Sequence, residues 1–400
     1  MNYVFISPHF PDNFKHFVIS LRRHGANVLG IASEPYDVLD VELRNSLTEY
    51  YRVDDMEDYD QLLKACGYFT FKYGKIDYIE SHNEYWLEKE AQLRTDFNVS
   101  GLQSEDMPAI KNKSEMKKVF ERAKIPVARG EVVKDLKSAK RFIKKVGYPI
   151  CIKPDIGVGA SDTYQISNEK ELEELFATKP VVNNIMEEFI TGDIHTFDGL
   201  VDKDGNILFL SSFIYSGVME TVRDDLDNIY HNQVEIPDDL MEFGLRAVNE
   251  FKIRNRFFHL EFFRTDKDKL VALEINVRPP GGWSLDMFNF AGDINIFDIY
   301  AKMIMEGDRS EIPKIKYHCA FVGVKFGLEN ELKHSREDGL AKYGHLVVRH
   351  GPMPDIFSAV MGNYSYIIRS QDYDELMEAA RYITARENNE PGGIDENRIS

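Results

Sequence analysis

Through the first quarter of the chain, short apolar runs alternate with apolar positions at helical spacing. YVFIS (3–7), NVLGIAS (27–33) and IDYIES (76–81) read as strands. FKHFVISLRRHG (14–25), DYDQLLKACGYFTFKYG (58–74) and EYWLEKEAQLRTDF (84–97) read as helices. Strands that alternate with helices predict a parallel sheet with helices on its faces, here half of a doubly wound domain. The first turn, SPHFPDN, has no GxGxxG, so no dinucleotide site is expected there. Farther on the rhythm changes. Helical patterns in 112–125, 136–147 and 168–179 flank a strand at the end of KIPVARGEVV (124–133) and another in ICIKP (150–154). From 182 to 217 apolar stretches follow one another with DKDGN (202–206) as a hairpin turn, which predicts antiparallel pairing. PDDLMEFGLRAVNEF (237–251) opens with proline and aspartate, as helix N-termini do. RFFHLEFFRTDKDKLVALEINVRP (256–279) is a hairpin. HCAFVGVKFGL (318–328), HLVVRHG (345–351) and NYSYIIRS (363–370) are strands before a last helix in 372–386, and the polar tail 388–400 reads as a surface extension.

Composition narrows the function classes. A net charge of −18 over 400 residues argues against a nucleic-acid backbone or an anionic membrane as partner. Cys66, Cys151 and Cys319 are far apart and form no CxxC pair, so neither a zinc site nor a disulfide framework is expected, and a reducing, cytoplasmic setting fits. MNYVFISPHF lacks the basic start of a signal peptide. No apolar run approaches the roughly 18 residues of a membrane span.

Two stretches carry candidate chemistry. YPICIKPDIGVGASDTYQI (148–166) reads as a strand, a glycine-containing loop and a second strand. Lys153 stands inside the apolar run, where a lysine is awkward to bury without a partner. Gly157, Val158, Gly159, Ala160 and Ser161 can turn bare backbone N–H groups toward an anion. Together they suggest a phosphate site; a plain hairpin turn with a solvated lysine fits the same letters. The loop is neither a Walker P-loop nor a dinucleotide fingerprint, because no Gly-Lys-Ser/Thr follows and no helix pattern begins there.

The second stretch is the 256–279 hairpin. By strand alternation His259, Glu261 and Phe263 share a face of the first strand, and Leu270, Ala272, Glu274 and Asn276 share a face of the second. A two-residue Asp266-Lys267 turn pairing Thr265 with Asp268 would place Glu261 opposite Ala272. Glu274 would then be its diagonal neighbour, about 7–8 Å away. Two carboxylates that close repel unless a cation lies between them. With Asn276 the oxygen set suits Mg²⁺ or Mn²⁺, and Arg278 on the same face would neutralise a phosphate. An exposed hairpin with a polar face is the other reading.

Lys113 with IPVARG (125–130), Lys153 before the glycine loop, EEFITG (187–192), and LEF (260–262) with LEINVRPPGG (273–282) come in one order. That order resembles the ATP-grasp superfamily, which includes biotin carboxylase, D-alanine–D-alanine ligase, the purine-pathway carboxylate ligases and the L-amino acid ligases. The resemblance covers residues 1–310 firmly and the remainder loosely. It implies an ATP-grasp fold, α/β and α+β. A half-Rossmann pre-ATP-grasp domain (1–105) would precede a small subdomain (106–185), a large subdomain with the metal site (186–310) and a C-terminal α+β region (311–400). By the same resemblance, Lys113 and Lys153 hold the phosphates of ATP, and the loop with Gly157, Gly159 and Ser161 closes over them. Glu187 accepts from the adenine amino group, the backbones of Glu188 and Ile190 make hinge hydrogen bonds, and Asp193 or His195 lies near the ribose. Many relatives have glutamate where this chain has Ile194, and His195 matches a histidine of biotin carboxylase. Glu261, Glu274 and Asn276 match the magnesium ligands, while Arg278 and Lys153 act on the transferred phosphate.

The implied chemistry is phosphorylation of a carboxylate by ATP, then displacement of phosphate by an amine. Small-molecule carboxylate and amine substrates are the expected partners, and relatives with this layout are often homodimers. PPGGWSLDMFNFAGD (279–293) resembles the substrate-facing loop of the amino-acid and dipeptide ligases, with Gly281 and Gly282 near a carboxylate and Trp283 walling the pocket or packing in the core. SGVMETVRDDLDNIYHNQ (216–233), with Arg223, Tyr230 and His231, reads as a substrate loop or a plain surface loop, and His259 as a further substrate contact. The alternatives are a biotin carboxylase-like or purine-pathway enzyme, and a catalytically inactive nucleotide-binding protein.

Overall fold

In the N-terminal sheet β1 (Asn2–Ile6), β2 (Asn27–Ala32), β3 (Glu49–Arg52) and β4 (Tyr78–Glu80) run parallel in the order β3-β2-β1-β4. The computed structural model describes residues 1–157, 162–179, 183–216, 226–307, 311–328 and 331–387. Alternation along β1 divides its side chains between two cores. Tyr3 and Phe5 pack with Phe17 and Leu21, and Val4 and Ile6 pack with Leu62 and Phe69. β3 is missing from the sequence reading because Glu-Tyr-Tyr-Arg shows no buried alternation: all but its exposed arginine are half-buried at the sheet edge.

β5 (Gly130–Val133), β6 (Ile150–Pro154), β7 (Tyr164–Ile166) and β8 (Asn184–Glu188) form an antiparallel sheet ordered β5-β8-β6-β7. The Leu136–Val146 helix covers it. It begins at a capping box between Asp135 and Ser138 and ends at Gly147, whose φ of 84° suits glycine. The boundary expected at 185 falls inside β8.

The third sheet contains β9 (Asp193–Val201), β10 (Ile207–Ser211), β11 (Phe213–Tyr215), β12 (Asn228–Asn232), β13 (Arg256–Arg264), β14 (Leu270–Asn276), β15 (His318–Val324), β16 (Val347–Pro352) and β17 (Tyr364–Ser370). Its order is β14-β13-β9-β11-β12-β15-β17-β16, with β10 paired to β9. The sheet therefore runs on across residue 310, where a separate C-terminal region was expected. The Asp238–Glu250 helix lies against it at Gly244, where a Cβ would come within 2.2 Å of the Phe197 ring.

Two further elements differ from the sequence reading. Residues 284–293, read as part of a substrate loop, are largely the Ser284–Gly292 helix, which buries Leu285, Met287, Phe288 and Ala291. Tyr230 and His231, read in a loop, belong to β12, and Tyr230 stacks on Phe321 with ring centroids 4.9 Å apart. The Ile296–Glu306 helix then packs on the N-terminal sheet, where the Tyr300 and Tyr3 hydroxyls meet at 2.7 Å. Beside it the Arg256 guanidinium reaches Glu80 at 2.8 Å and Glu90 at 3.1 Å, and Arg94 reaches Glu90 at 2.9 Å. Among the described residues no helix is long and apolar enough to cross a membrane.

Candidate active site

The β13–β14 hairpin brings the two glutamates together by a different route from the one expected. Thr265 pairs with Lys269, not Asp268, around a three-residue turn in which Asp268 takes a φ of 54°. Left alone, that odd turn would send Glu274 to the far face. A one-residue register shift between Glu261 and Phe262 reverses this, so Glu261 stands directly opposite Glu274 rather than opposite Ala272. The face assignment changes accordingly. Leu270 and Ala272 join Ile275 and Val277 in the core, with Phe258, Leu260 and Phe262 from β13. The carboxylates, His259 and Asn276 share the other face, and Asn276 donates to Glu274 Oε1 at 3.3 Å.

The environments of the two carboxylates diverge. Burial raises the pKa of Glu274 and the neighbouring Glu261 charge raises it further, against Lys113 and Lys153. Burial acts the same way on Glu261, but hydrogen bonding and charge from His259, with Arg278 and Lys153, pull it below the ordinary value. His259 bridges Asp198, 2.5 Å from Nδ1, and Glu261, 2.9 Å from Nε2. Burial works against its charged form, yet the two carboxylates push its pKa up to about 9. Both ring nitrogens are thus occupied, and His259 holds Glu261 in place instead of reaching a substrate. Asp198, unforeseen in the sequence, is the cross-strand partner of His259 and is also bonded by Thr196.

Lys153, at the end of β6, is 8% exposed and lies 2.6 Å from Glu187. Burial is the largest influence and lowers its pKa, but Glu187, with Cys151 and Glu274, leaves it raised. The second Glu187 oxygen is held by Lys117, which the sequence reading missed. Lys117 is one helical turn past Lys113 on the same face, and that spacing was the available signal. Lys113 donates to the Gly157 carbonyl at 3.1 Å, and burial lowers its pKa against the pull of Glu274. Asp155 joins this helix to the glycine loop by accepting from the Ser114 backbone and hydroxyl, both at 2.8 Å. Gly159, Ser161 and Arg223, and the rest of the expected loop closure, lie outside the described residues.

Other expected residues lie apart. Glu188 donates its backbone N–H to the Arg129 carbonyl at 2.9 Å, so that hinge donor is taken; Ile190 follows β8 and is half-buried. Asp193 and His195 pair across β9–β13 with Arg264 and Phe262, the residues alternating with Glu261, so they face away from the carboxylates. His195 is hydrogen-bonded to Gln233 at 3.2 Å. Trp283 is a core residue, 6% exposed, with the Arg349 guanidinium over its ring at 4.1 Å.

Arg278 follows β14 and lines a cavity of about 800 Å³ together with Gly281 and Gly282. Gly282 has φ 60°, and a Cβ there would lie 2.2 Å from Met361, whereas Gly281 faces open space. Arg278 Nε is 3.7 Å from Glu84, which Lys111 holds at 2.7 Å. Among the described residues no three His, Cys, Asp or Glu side chains form a metal-holding group. The hairpin instead offers two carboxylates and one carboxamide. That set fits Mg²⁺, which takes one or two carboxylates and completes its shell with phosphate oxygens and water.

Residues 146–286 match the ATP-grasp domain family. The chain is 26% identical over 264 residues to the L-arginine-specific L-amino acid ligase of Bacillus subtilis, a match spanning 62% of this chain and 62% of that protein. The chain therefore matches less than two thirds of that relative's length. The solved L-amino acid ligase of Bacillus licheniformis superposes with a TM-score of 0.74 at 15% identity, covering 97% of this chain and 99% of that one. The biotin carboxylase of Campylobacter jejuni, solved as a β,γ-ATP complex, superposes with a TM-score of 0.68 at 16% identity, over 96% of this chain and 90% of that one. These superpositions establish the fold.

Proposed function

We propose, from the premise that this chain carries an ATP-grasp domain, that it is an ATP-dependent carboxylate–amine ligase acting on an amino acid or small carboxylic acid. One observation carries the reading: Glu261 and Glu274 face each other within the fields of Lys113, Lys153 and Arg278, beside a cavity with room for a small substrate. Glu261, Glu274 and Asn276 would hold Mg²⁺ or Mn²⁺, which supplies charge neutralisation on the phosphates of ATP. Lys113 and Lys153 bind those phosphates, and the guanidinium of Arg278 stabilises the charge on the transferred group.

A substrate carboxylate oxygen attacks the γ-phosphorus, the bond to the β-phosphate oxygen breaks, and ADP leaves an acyl phosphate. The amine nitrogen then attacks the acyl carbon. The carbon–nitrogen bond forms, the carbon–oxygen bond to phosphate breaks, the nitrogen gives up a proton, and inorganic phosphate departs. Positioning and charge neutralisation suffice for such transfer, which accounts for a site of lysines and carboxylates without a nucleophilic triad. Glu187 holds Lys153 until nucleotide phosphates draw that lysine away, and Lys117 then keeps Glu187 ionised and oriented.

The test is an ADP-release screen of amino acids and small carboxylates, alone and in pairs, with Mg²⁺. Acid-dependent ADP release, made continuous by an amine, is the expected result. Nucleotide binding without any acid-dependent release would favour the inactive binder. Lys153→Ala is expected to weaken ATP binding by an amount on the order of 1.5–3 kcal/mol, the size of a charge-assisted contact. Unchanged affinity by calorimetry would remove Lys153 from the site.

A further inference from the structure

The cavity beside Arg278 opens at the carboxyl ends of the parallel N-terminal strands, where open α/β sheets admit ligands. Ser7 after β1, Ser33 after β2, Asp54 after β3 and His82 after β4 all stand on its wall. Arg278 belongs both to this wall and to the field that lowers the pKa of Glu261, so the cavity adjoins the carboxylate pair.

Its charge is lopsided. Glu34, Asp54, Asp55, Glu57 and Glu84 line it, and Arg278 is the lining guanidinium. Lys89 and Lys111 compensate Glu57 and Glu84. Glu34 meets His9 at 3.1 Å, but burial lowers the pKa of that imidazole, so it leaves the Glu34 charge standing. Asp54 and Asp55 are exposed, and Asp55 shares the field of Lys89, the ion-pair partner of Glu57. Among the described residues three buried polar atoms on the wall have no hydrogen-bond partner: His9 Nδ1, Nε2 of His82, a residue only 1% exposed, and Glu84 Oε2, which faces Arg278 Nε at 3.7 Å.

Five aromatic side chains, Phe10, Phe14, Tyr85, Trp86 and Phe357, also stand on the wall, and Lys89 lies over the Trp86 ring at 5.2 Å. Tyr85 meets Trp86 edge to face at 4.7 Å, and Phe10 stacks on Phe357 at 5.5 Å. The acids do not converge as a metal ion requires. Scattered carboxylates among aromatic faces suit an organic cation, which gains charge-assisted hydrogen bonds, cation–π attraction and apolar contact along its stem.

We infer that this cavity receives the cationic arm of a small substrate, an ammonium or guanidinium on an aliphatic stem, carried in addition to the reacting carboxylate or amine. The reacting end rests on the ligase reading; the cationic end rests on the cavity.

The test is calorimetric binding of L-lysine and L-norleucine, which differ at the side-chain terminus, with Mg-ADP present. Wild-type protein is expected to bind lysine at least about tenfold more tightly. The D54N/D55N variant should lose that preference while its affinity for norleucine stays within about twofold. Asparagine at 55 retains an acceptor for the Glu57 N–H, which Asp55 holds at 2.8 Å, so the fold is preserved. Equal wild-type affinities, or a preference that survives in D54N/D55N, would overturn the inference.

ADP release separates the two possible carriers. γ-Guanidinobutyrate can react only as the acid and putrescine only as the amine, with hexanoate and butylamine as their uncharged-arm controls. Release favouring γ-guanidinobutyrate or putrescine over its control supports the inference and names the carrier. Release with no such preference overturns it and leaves the ligase reading intact. Selective lysine binding without ADP release from any acid sinks the ligase reading and leaves the cavity assignment standing.

Discussion

Glu274→Gln is expected to lower Mg²⁺-dependent turnover by roughly a hundredfold or more while the metal-free protein stays as stable as wild type or gains stability. The two effects have one cause. Glu274 faces Glu261 across the hairpin, and burial together with that like charge raises its pKa. Raising a carboxyl group's pKa on folding means that the folded environment disfavours its ionised form. A neutral isostere therefore relieves strain when no cation is present. The same charge is what a divalent ion would require of its ligands. Turnover is read as ADP release at saturating Mg²⁺, and stability as the thermal midpoint in a chelator. Activity within a few-fold of wild type would remove Glu274 from the metal site. A lower midpoint would show that its contacts with Lys113 and Lys153 outweigh its repulsion from Glu261.

Arg256→Ala is expected to cost about 3–5 kcal/mol, the usual consequence of stranding buried charges. Arg256 is 3% exposed and holds Glu80 at 2.8 Å, Glu90 at 3.1 Å and the Val277 carbonyl at 2.7 Å. Its loss would leave Arg94 to neutralise both glutamates, with the Ser81 N–H and hydroxyl donating to Glu90. In a chain of this size the thermal midpoint should fall by roughly 5 °C. Val277 immediately precedes Arg278, so activity should fall even below the melting range. A midpoint within a degree of wild type would mean that Arg94 and solvent satisfy both carboxylates without Arg256.

Lys153 was readable because a lysine in an apolar strand demands a partner, and the glycines after it suggested an anion. The partner found in the fold, Glu187, was not readable as such, since β6 and β8 are joined by register rather than by sequence proximity. Lys117 left a trace in its helical spacing from Lys113. Asp198 left none, because only the β9–β13 register sets it beside His259. Asp193 and His195, which the resemblance places near a ribose, stand on the strand face opposite the carboxylates, and only the β9–β13 register shows this.

Local pattern was sufficient wherever the physics was local. The parallel N-terminal sheet followed from alternating strand and helix periods, the Leu136–Val146 helix from its helical spacing up to Gly147, and the hairpin itself from paired apolar runs around a polar turn. The convergence of Glu261 with Glu274 was also foreseen, but by the wrong register. A three-residue turn and a one-residue bulge each invert the face, and together they restore it. Neither irregularity is written in side-chain periodicity. Both are settled by which residues the core accepts: Leu270, Ala272, Ile275 and Val277 can all be buried only if the strand slips once between Ala272 and Glu274. The acidic cavity lies beyond sequence for the same kind of reason. Its wall is drawn from the ends of β1 to β4, from the segment after β14 and from residues 356–357, and only tertiary packing brings charges so distant in the chain around one space.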